Sequence, residues 1–366
     1  MQDELLEKIA LTLLPGIGYV TARNLLSAFG SASQVFKERK GTLVKIAGVT
    51  HNNVAAILSS EVFVRAEKEL NFIEKHKISA LFYTDQNFPN RLKHCVDAPL
   101  LVFFKGKADF NTRKAIAIVG TRKSTDYGRM ITEKLIEDLA GIGDMIVISG
   151  LAFGIDIAAH QACLKYNVPT VGVLGHGLDK LYPTQHKNTA IQMLANGGLL
   201  TEFISETKPD RENFPMRNRI IAGMVDAVVV VEAAQSGGAL ITAEIANNYN
   251  RDVFAFPGRV SDEYSQGCNY LIKNNKANLI TSAKDISYLL GWEETVKENA
   301  RQTRLLIDLT EDEKKLVDLF KSTQTISVDD LSSASQMSMS KLAATLLQLE
   351  MNGMIRSLPG KMYSLS

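Results

Sequence analysis

Five turns rich in glycine and small polar residues carry the clearest chemistry in this chain. They read Val119-Gly-Thr-Arg-Lys-Ser124, Ser149-Gly-Leu-Ala-Phe-Gly-Ile-Asp156, Leu174-Gly-His-Gly-Leu-Asp179, Ala234-Gln-Ser-Gly-Gly-Ala239 and Phe256-Pro-Gly258. Each follows a short β-branched run and leads toward a helical segment. Backbone N–H groups and helix N-termini gathered at such turns attract anions, so the pattern predicts a phosphate-binding groove. In the first turn Gly120 ends the strand, Thr121 and Ser124 offer hydroxyls, and Arg122 and Lys123 supply charge before a helix starting near Asp126. A phosphate there gains amide hydrogen bonds, the helix dipole and a bidentate guanidinium together. Gly154, Gly175, Gly177, Ser236 and Gly237 are expected along the same groove.

A second basic cluster, Arg217-Asn218-Arg219, follows Asn213-Phe-Pro215. It reads either as a helix start with two solvated arginines or as a wall of the crevice that holds Arg122. Lys180, His186 and Lys187 come from one further turn, and Tyr182 lies among them. A tyrosine flanked by cations suits base stacking, a contact worth ~1–3 kcal/mol per base. A core tyrosine with a satisfied hydroxyl fits the same residues.

Other chemistries lack their residues. The first turn has no Gly-Lys-Ser/Thr ending, which argues against a P-loop and ATP hydrolysis. Gly175-His-Gly177 lacks the third glycine of a dinucleotide fingerprint. Asp156 and His160 share a helix face at i and i+4, but no Ser or Cys nucleophile and no third metal ligand accompanies them. Asp156 as a helix cap with His160 hydrogen-bonded nearby is the preferred reading. The remaining histidines show no HExxH spacing, so neither a metal nor a cofactor is expected.

The formal net charge of +1 excludes binding of nucleic acid by bulk charge, so any such site must be a local concentration of Arg and Lys. Three isolated cysteines, Cys95, Cys163 and Cys268, argue against a disulfide framework and fit a reducing compartment. No signal peptide or membrane-spanning run is legible, which points to a soluble cytoplasmic protein without a membrane partner.

The elements that must position the turns follow from periodicity. Continuous apolar runs at 115–119, 145–149, 170–174, 199–201, 227–231 and 253–256 read as buried parallel strands joined through helices. The fold class is α/β, a Rossmann-like, doubly wound, mostly parallel sheet over residues 76–292, with an edge pair from 80–83 and 100–104. Residues 1–75 read as a helical domain of the SAM or helix-hairpin-helix kind. Leu14-Pro-Gly-Ile-Gly18 is either a phosphate-approaching hairpin or, as preferred, the tight turn of a small bundle. Residues 293–309 read as a charged linker. Residues 310–366 form a winged-helix-like domain opened by Thr310 and Glu313 in a capping box, whose slight acidic excess suits a protein contact at least as well as duplex DNA.

With these residues in view, a family resemblance emerges. Ile118-Val-Gly-Thr-Arg122, Tyr127-Gly128, Ser149-Gly-Leu-Ala152 with Gly154-Ile-Asp156, and Ala159-His160 resemble motifs of the DNA-processing protein A family, also called DprA or Smf. So do Leu174-Gly-His-Gly-Leu-Asp179 with Tyr182-Pro183, Phe214-Pro-Met-Arg-Asn-Arg-Ile-Ile-Ala-Gly223, Val231-Glu-Ala233, Ser236-Gly-Gly-Ala-Leu-Ile-Thr-Ala243 and Phe256-Pro-Gly258. The resemblance spans the α/β segment in order. It implies a homodimer that binds single-stranded DNA and loads the RecA recombinase in natural transformation, without catalysis. The family's DNA-backbone contacts at the first turn carry over to Gly120, Thr121 and Arg122, and those of the tyrosine-proline turn to Lys180, Tyr182 and Lys187.

An enzyme on the same architecture is the rival reading. Gly237-Gly238 with Thr242-Ala-Glu244 is similar to the nucleotide phosphoribohydrolases, whose signature is Pro-Gly-Gly-x-Gly-Thr-x-x-Glu. Here Ser236 replaces the proline and Ile241 the glycine before threonine, and the acidic pair is reduced to Glu244. Acid–base cleavage of an N-glycosidic bond needs a positioned second carboxylate. Purified protein is therefore expected to release no free base from AMP; release that disappears in Glu244→Ala would overturn this reading.

Overall fold

The computed structural model describes residues 2–59, 61–292, 309–321 and 325–365. The strands of the main sheet are β1 (Ser79–Phe82), β2 (Leu101–Gly106), β3 (Lys114–Val119), β4 (Met145–Ser149), β5 (Thr170–Val173), β6 (Gly197–Thr201), β7 (Ala227–Val230), β8 (Asp252–Ala255) and β9 (Asn278–Leu279). Their spatial order is β1-β2-β6-β5-β4-β3-β7-β8-β9. Neighbours from β6 to β9 pair in parallel, whereas β1 with β2 and β2 with β6 are antiparallel.

Burial on both faces explains the unbroken apolar strands. On β3, Ala115, Ala117 and Val119 face one helical layer, and Ile116 and Ile118 face the other. The helices Asn213–Gly223 and Gly238–Asn248 cover the first face; Asp126–Ala140 and Ile155–Lys165 cover the second. All six expected core strands are present. β6 starts earlier than its apolar run because Gly197 and Gly198 belong to it. A Cβ on Gly197 would lie 2.0 Å from the Thr170 carbonyl oxygen, so the pairing itself demands glycine where propensity speaks against a strand. β9 was not expected, since two residues at a sheet edge leave no run to read.

The amino-terminal helices share a core with β1 and β2, joining Ile9, Leu14, Leu25 and Ile73 to Phe82, Leu101 and Phe103. The hairpin between the helices Gln2–Thr12 and Tyr19–Phe29 has Leu14 buried. Two side chains fasten this layer. Arg23 donates to the Ala98 carbonyl oxygen (3.0 Å), and Glu69 accepts from the Ser205 amide (3.0 Å).

Residues 293–308, most of the expected linker, lie outside the described residues. Beyond them the helices Glu311–Lys321, Val328–Ser335 and Met339–Met351 pack with strands β10 (Ile326–Ser327), β11 (Ile355–Leu358) and β12 (Met362–Leu365). Leu316, Phe320, Leu331, Leu342 and Leu346 form their core. The expected capping box is formed: Thr310 N donates to Glu313 (2.8 Å), and Glu313 N to the Thr310 hydroxyl (3.3 Å). The turn from β11 to β12 rests on the main sheet. Gly360 N donates to the Asn250 carbonyl oxygen (3.1 Å), and Arg251 donates to that of Pro359 (3.4 Å). Among the described residues no helix is long and apolar enough to cross a membrane.

At the base of the sheet Asp226 accepts Arg91 through both oxygens (2.7 and 2.9 Å) and the Ala115 amide (2.9 Å). This ties the start of β3 to β7 and to the Asn90–Lys93 turn of helix. Removing one partner of a largely buried pair strands the other, typically at about 3–5 kcal/mol. Asp226→Ala is accordingly expected to lower the unfolding free energy by about 3 kcal/mol in urea titrations; an unchanged midpoint would show that the clamp is dispensable.

Candidate nucleic-acid interface

From β3 the chain winds outward through β4, β5 and β6, then returns to build β7, β8 and β9 on the other side. The carboxyl ends of β3 and β7 therefore diverge at a topological switch point, where open α/β sheets bind ligands. The turns there are stitched together: Thr121 N donates to the Glu232 carbonyl oxygen (2.7 Å) and Ile155 N to that of Thr121 (3.2 Å). Gly154 adopts φ +80°, and a Cβ on it would lie 2.1 Å from the Thr121 carbonyl oxygen. Its role is to let one turn approach another, as is that of Gly120, which packs on Ile155. Buried Gly177 likewise packs against Ile204 and Ser205 rather than facing a ligand.

Glu232 was not singled out as a site residue, although it stands in the quoted Val231-Glu-Ala233 motif. Its buried carboxylate accepts the Thr125 amide (2.9 Å) and the Thr125 hydroxyl, while that hydroxyl accepts the Gly128 amide (3.1 Å). Thr125 is thus the N-cap, and an internal acid occupies the amino end of the Asp126–Ala140 helix. The expected contribution of this helix dipole to phosphate binding is corrected: the protein's own carboxylate already uses it. Ser124 is engaged as well, accepting Arg129 at its carbonyl oxygen (2.7 Å) and hydroxyl (3.2 Å).

What remains open at this edge is a cleft bounded by Arg122, Phe153, Gly175, Tyr182, Phe214 and Arg217. Its enclosed volume is about 30 Å³, the share of one water, so a ligand must lie across its mouth. Arg122 is exposed, with its guanidinium carbon 5.5 Å from the Phe214 ring centre. Tyr182 is half exposed and tilted beside Phe214, with ring centres 6.1 Å apart, which removes the core-tyrosine reading. Phe153, also exposed, packs edge-on against His186 at 4.8 Å. Phe153 and Phe214 were missed because an isolated aromatic in an apolar sequence looks like core. Lys123, Lys187, Ser236 and Gly237 are exposed on the surrounding turns, whereas Lys180 donates to the Glu206 carbonyl oxygen (3.2 Å).

The second basic cluster is not one cluster. Helical residues two apart point to nearly opposite sides, so Arg217 and Arg219 part company. Arg217 is buried at the cleft floor and donates to the Val173 carbonyl oxygen. Arg219 faces the amino-terminal helices, where it meets Glu202, the Tyr19 hydroxyl (2.6 Å) and the Asp97 carbonyl oxygen (2.6 Å). Asn218 is buried and donates to the Gly238 carbonyl oxygen (3.3 Å). The groove assignment for Arg219 and Asn218 is thereby withdrawn, and so is the picture of two solvated arginines.

Asp156 and His160 serve the framework. His160 is fully buried, its Nε2 donating to the Gly150 carbonyl oxygen (2.7 Å) and its Nδ1 meeting the Thr170 hydroxyl (2.7 Å). Burial pushes its pKa down to about 4. Asp156 lies within the first turn of its helix, not at the N-cap, which is Gly154. Gly150 separates it from Arg217, since a Cβ there would meet both side chains within 2.9 Å. Glu244, the residue of the enzyme reading, pairs with Lys276 (2.8 Å) on an exposed surface. Among the described residues no group of three His, Cys, Asp or Glu side chains could hold a metal ion.

Burial raises the Asp156 pKa from 3.8 to about 6, against the opposing pull of Arg217. Folding therefore favours its protonated form. The associated stability is complete below the unfolded value and is lost as pH rises through about 6. Relative to Asp156→Asn, the wild-type chain is expected to gain unfolding free energy as pH falls from about 7 to 5. A difference that stays constant across that interval would contradict the assignment.

Comparison with known proteins agrees with the geometry. Residues 79–291 match the family model for DNA recombination-mediator protein A, and residues 300–361 match the DprA winged helix domain. Protein Smf of Synechocystis is 32% identical over 97% of both chains. DNA processing protein DprA of Streptococcus pneumoniae is 39% identical over 58% of this chain and 74% of its own. The X-ray structure of that DprA superposes with a TM-score of 0.66 at 33% identity, covering 77% of this chain and 95% of the other. DNA processing protein A from Helicobacter pylori, solved for its single-stranded DNA binding mode, gives a TM-score of 0.53 at 27% identity over 58% and 95% of the two chains. This chain belongs to the DNA recombination-mediator protein A family.

Proposed function

We propose that this chain binds single-stranded DNA across the switch-point cleft, loads RecA recombinase onto it as a cytoplasmic homodimer, and performs no chemistry on the strand. The observation that carries the DNA-binding part is the exposed Arg122 guanidinium beside the rings of Phe214 and Tyr182. A cation next to accessible aromatic faces suits a phosphate followed by a stacked base, and stacking is indifferent to sequence. The shallow cleft fits a strand lying across it better than a mononucleotide sunk into it. RecA loading and dimer formation rest on the family resemblance, which also motivates a role in natural transformation or general recombination.

The two contacts have separable signatures. Arg122→Ala is expected to weaken binding of oligothymidylate and reduce the slope of log K against log salt by about 0.7, the value for one lost single-strand phosphate contact. Tyr182→Ala is expected to weaken binding by ~1–3 kcal/mol with the slope unchanged. Fluorescence anisotropy over a salt series reads both. Wild-type affinity and slope in Arg122→Ala would remove the cleft from the DNA path.

A further inference from the structure

A second cavity, of about 250 Å³, lies at the seam between the amino-terminal hairpin and the sheet, away from the residues of the proposed DNA path. Leu13, Ile17, Leu101, Phe103, Phe203 and Met216 make most of its wall apolar. An apolar cavity of roughly 150 Å³ holds benzene, so this one accommodates a heterocycle with its substituents.

The polar part of the wall is Glu202 with Tyr19. One carboxylate oxygen, Oε2, takes Arg219 and the Tyr19 hydroxyl (3.2 Å). The other, Oε1, is buried and has no hydrogen-bond partner in the protein. The Glu202 side chain is only 8% exposed, so an unmade hydrogen bond on it is unfavourable. Arg219 and Tyr19 have no such need, because each is already engaged with its neighbours.

The cavity therefore lacks one hydrogen-bond donor at a fixed place among apolar walls. Since Arg219 already neutralises the carboxylate, a neutral donor fits better than a second cation, whose desolvation would go uncompensated. An exocyclic amino group on a flat ring supplies that donor and presents the ring to Leu101 and Phe103. An imide N–H of the thymine type is poorer, because it sits between two carbonyl oxygens that would face Glu202. We propose that this seam cavity is a nucleobase-sized site that takes an amino-bearing heterocycle of the cytosine or adenine class, with Glu202 as the acceptor. Glutamate accepting the amino group of cytosine is a known pairing at base edges. The base arrives either as a free nucleoside or as part of a strand.

The test uses the full chain and isothermal titration with cytidine and thymidine, alongside oligothymidylates with and without one internal cytosine. Saturable cytidine binding about tenfold or more tighter than thymidine is expected for a free nucleoside, the difference matching one hydrogen bond to a charged group. For a base within a strand, the cytosine-containing oligonucleotide binds more tightly than the all-thymine one. In either case Glu202→Gln should erase most of the preference. Because that substitution also disturbs the contact with Arg219, Ile17→Trp, which fills the cavity from the hairpin, provides an independent variant whose thermal midpoint reports folding. A folded Ile17→Trp variant that retains the preference, or equal binding of cytosine and thymine forms in both arms, would overturn the proposal. Arg122→Ala leaves the cytidine preference intact if the site is the seam and abolishes it if the base sits in the cleft, which overturns it as well.

Discussion

The carboxylate of Glu232 sits under the amino end of the Asp126–Ala140 helix, the place where an open α/β sheet usually holds the phosphate of a nucleotide. The anion is supplied by the protein itself. It accepts the Thr125 amide, positions the N-cap hydroxyl, and lies so close to Gly128 that a Cβ there would be 2.1 Å from Oε2. Through the Glu232 main chain the same segment holds Thr121, and through Thr121 it holds Ile155. The geometry of three turns thus descends from one internal ion at the switch point.

That arrangement changes what the crevice can recognise. A cofactor pocket uses the helix dipole and a deep, enclosed cradle, and here the dipole is taken and the enclosure is about the size of a water molecule. Charge recognition passes to Arg122, a mobile side chain on the rim, and apolar recognition passes to the exposed faces of Phe153, Tyr182 and Phe214. Rim groups of this kind suit a polymer that extends past the site in both directions. They are poorly suited to enclosing a small molecule.

The sheet was legible because burial on both faces leaves unbroken runs of Val, Ile and Ala, and helix-length intervals between them admit few topologies. Turn positions were legible for the same reason. The jobs of individual turn residues were not. Glycine reads identically whether it admits a phosphate or a neighbouring backbone, and Gly120, Gly154 and Gly177 do the latter. Arg217 and Arg219 look like one basic patch in one dimension and separate once the helix is wound. Arg122 and Tyr182, flanked by little that could bury them, reached the surface where their types suggested. Glu232 escaped notice as a site residue because its partners, Thr125 and Gly128, lie more than a hundred positions away.

The contact of Pro359 and Gly360 with Asn250 and Arg251 has a geometric corollary. Those two residues lead into β8, at the amino edge of the parallel strands, whereas Arg122 lies beyond their carboxyl edge. A four-residue strand extends about 13 Å, so the winged module and the cleft occupy opposite poles of the sheet. Anything gripped at one pole leaves the other sterically untouched. The chain is laid out as a bipolar adaptor, in which a ligand at the cleft and a macromolecule seated on the Met339–Met351 helix could be held at once without competing for space.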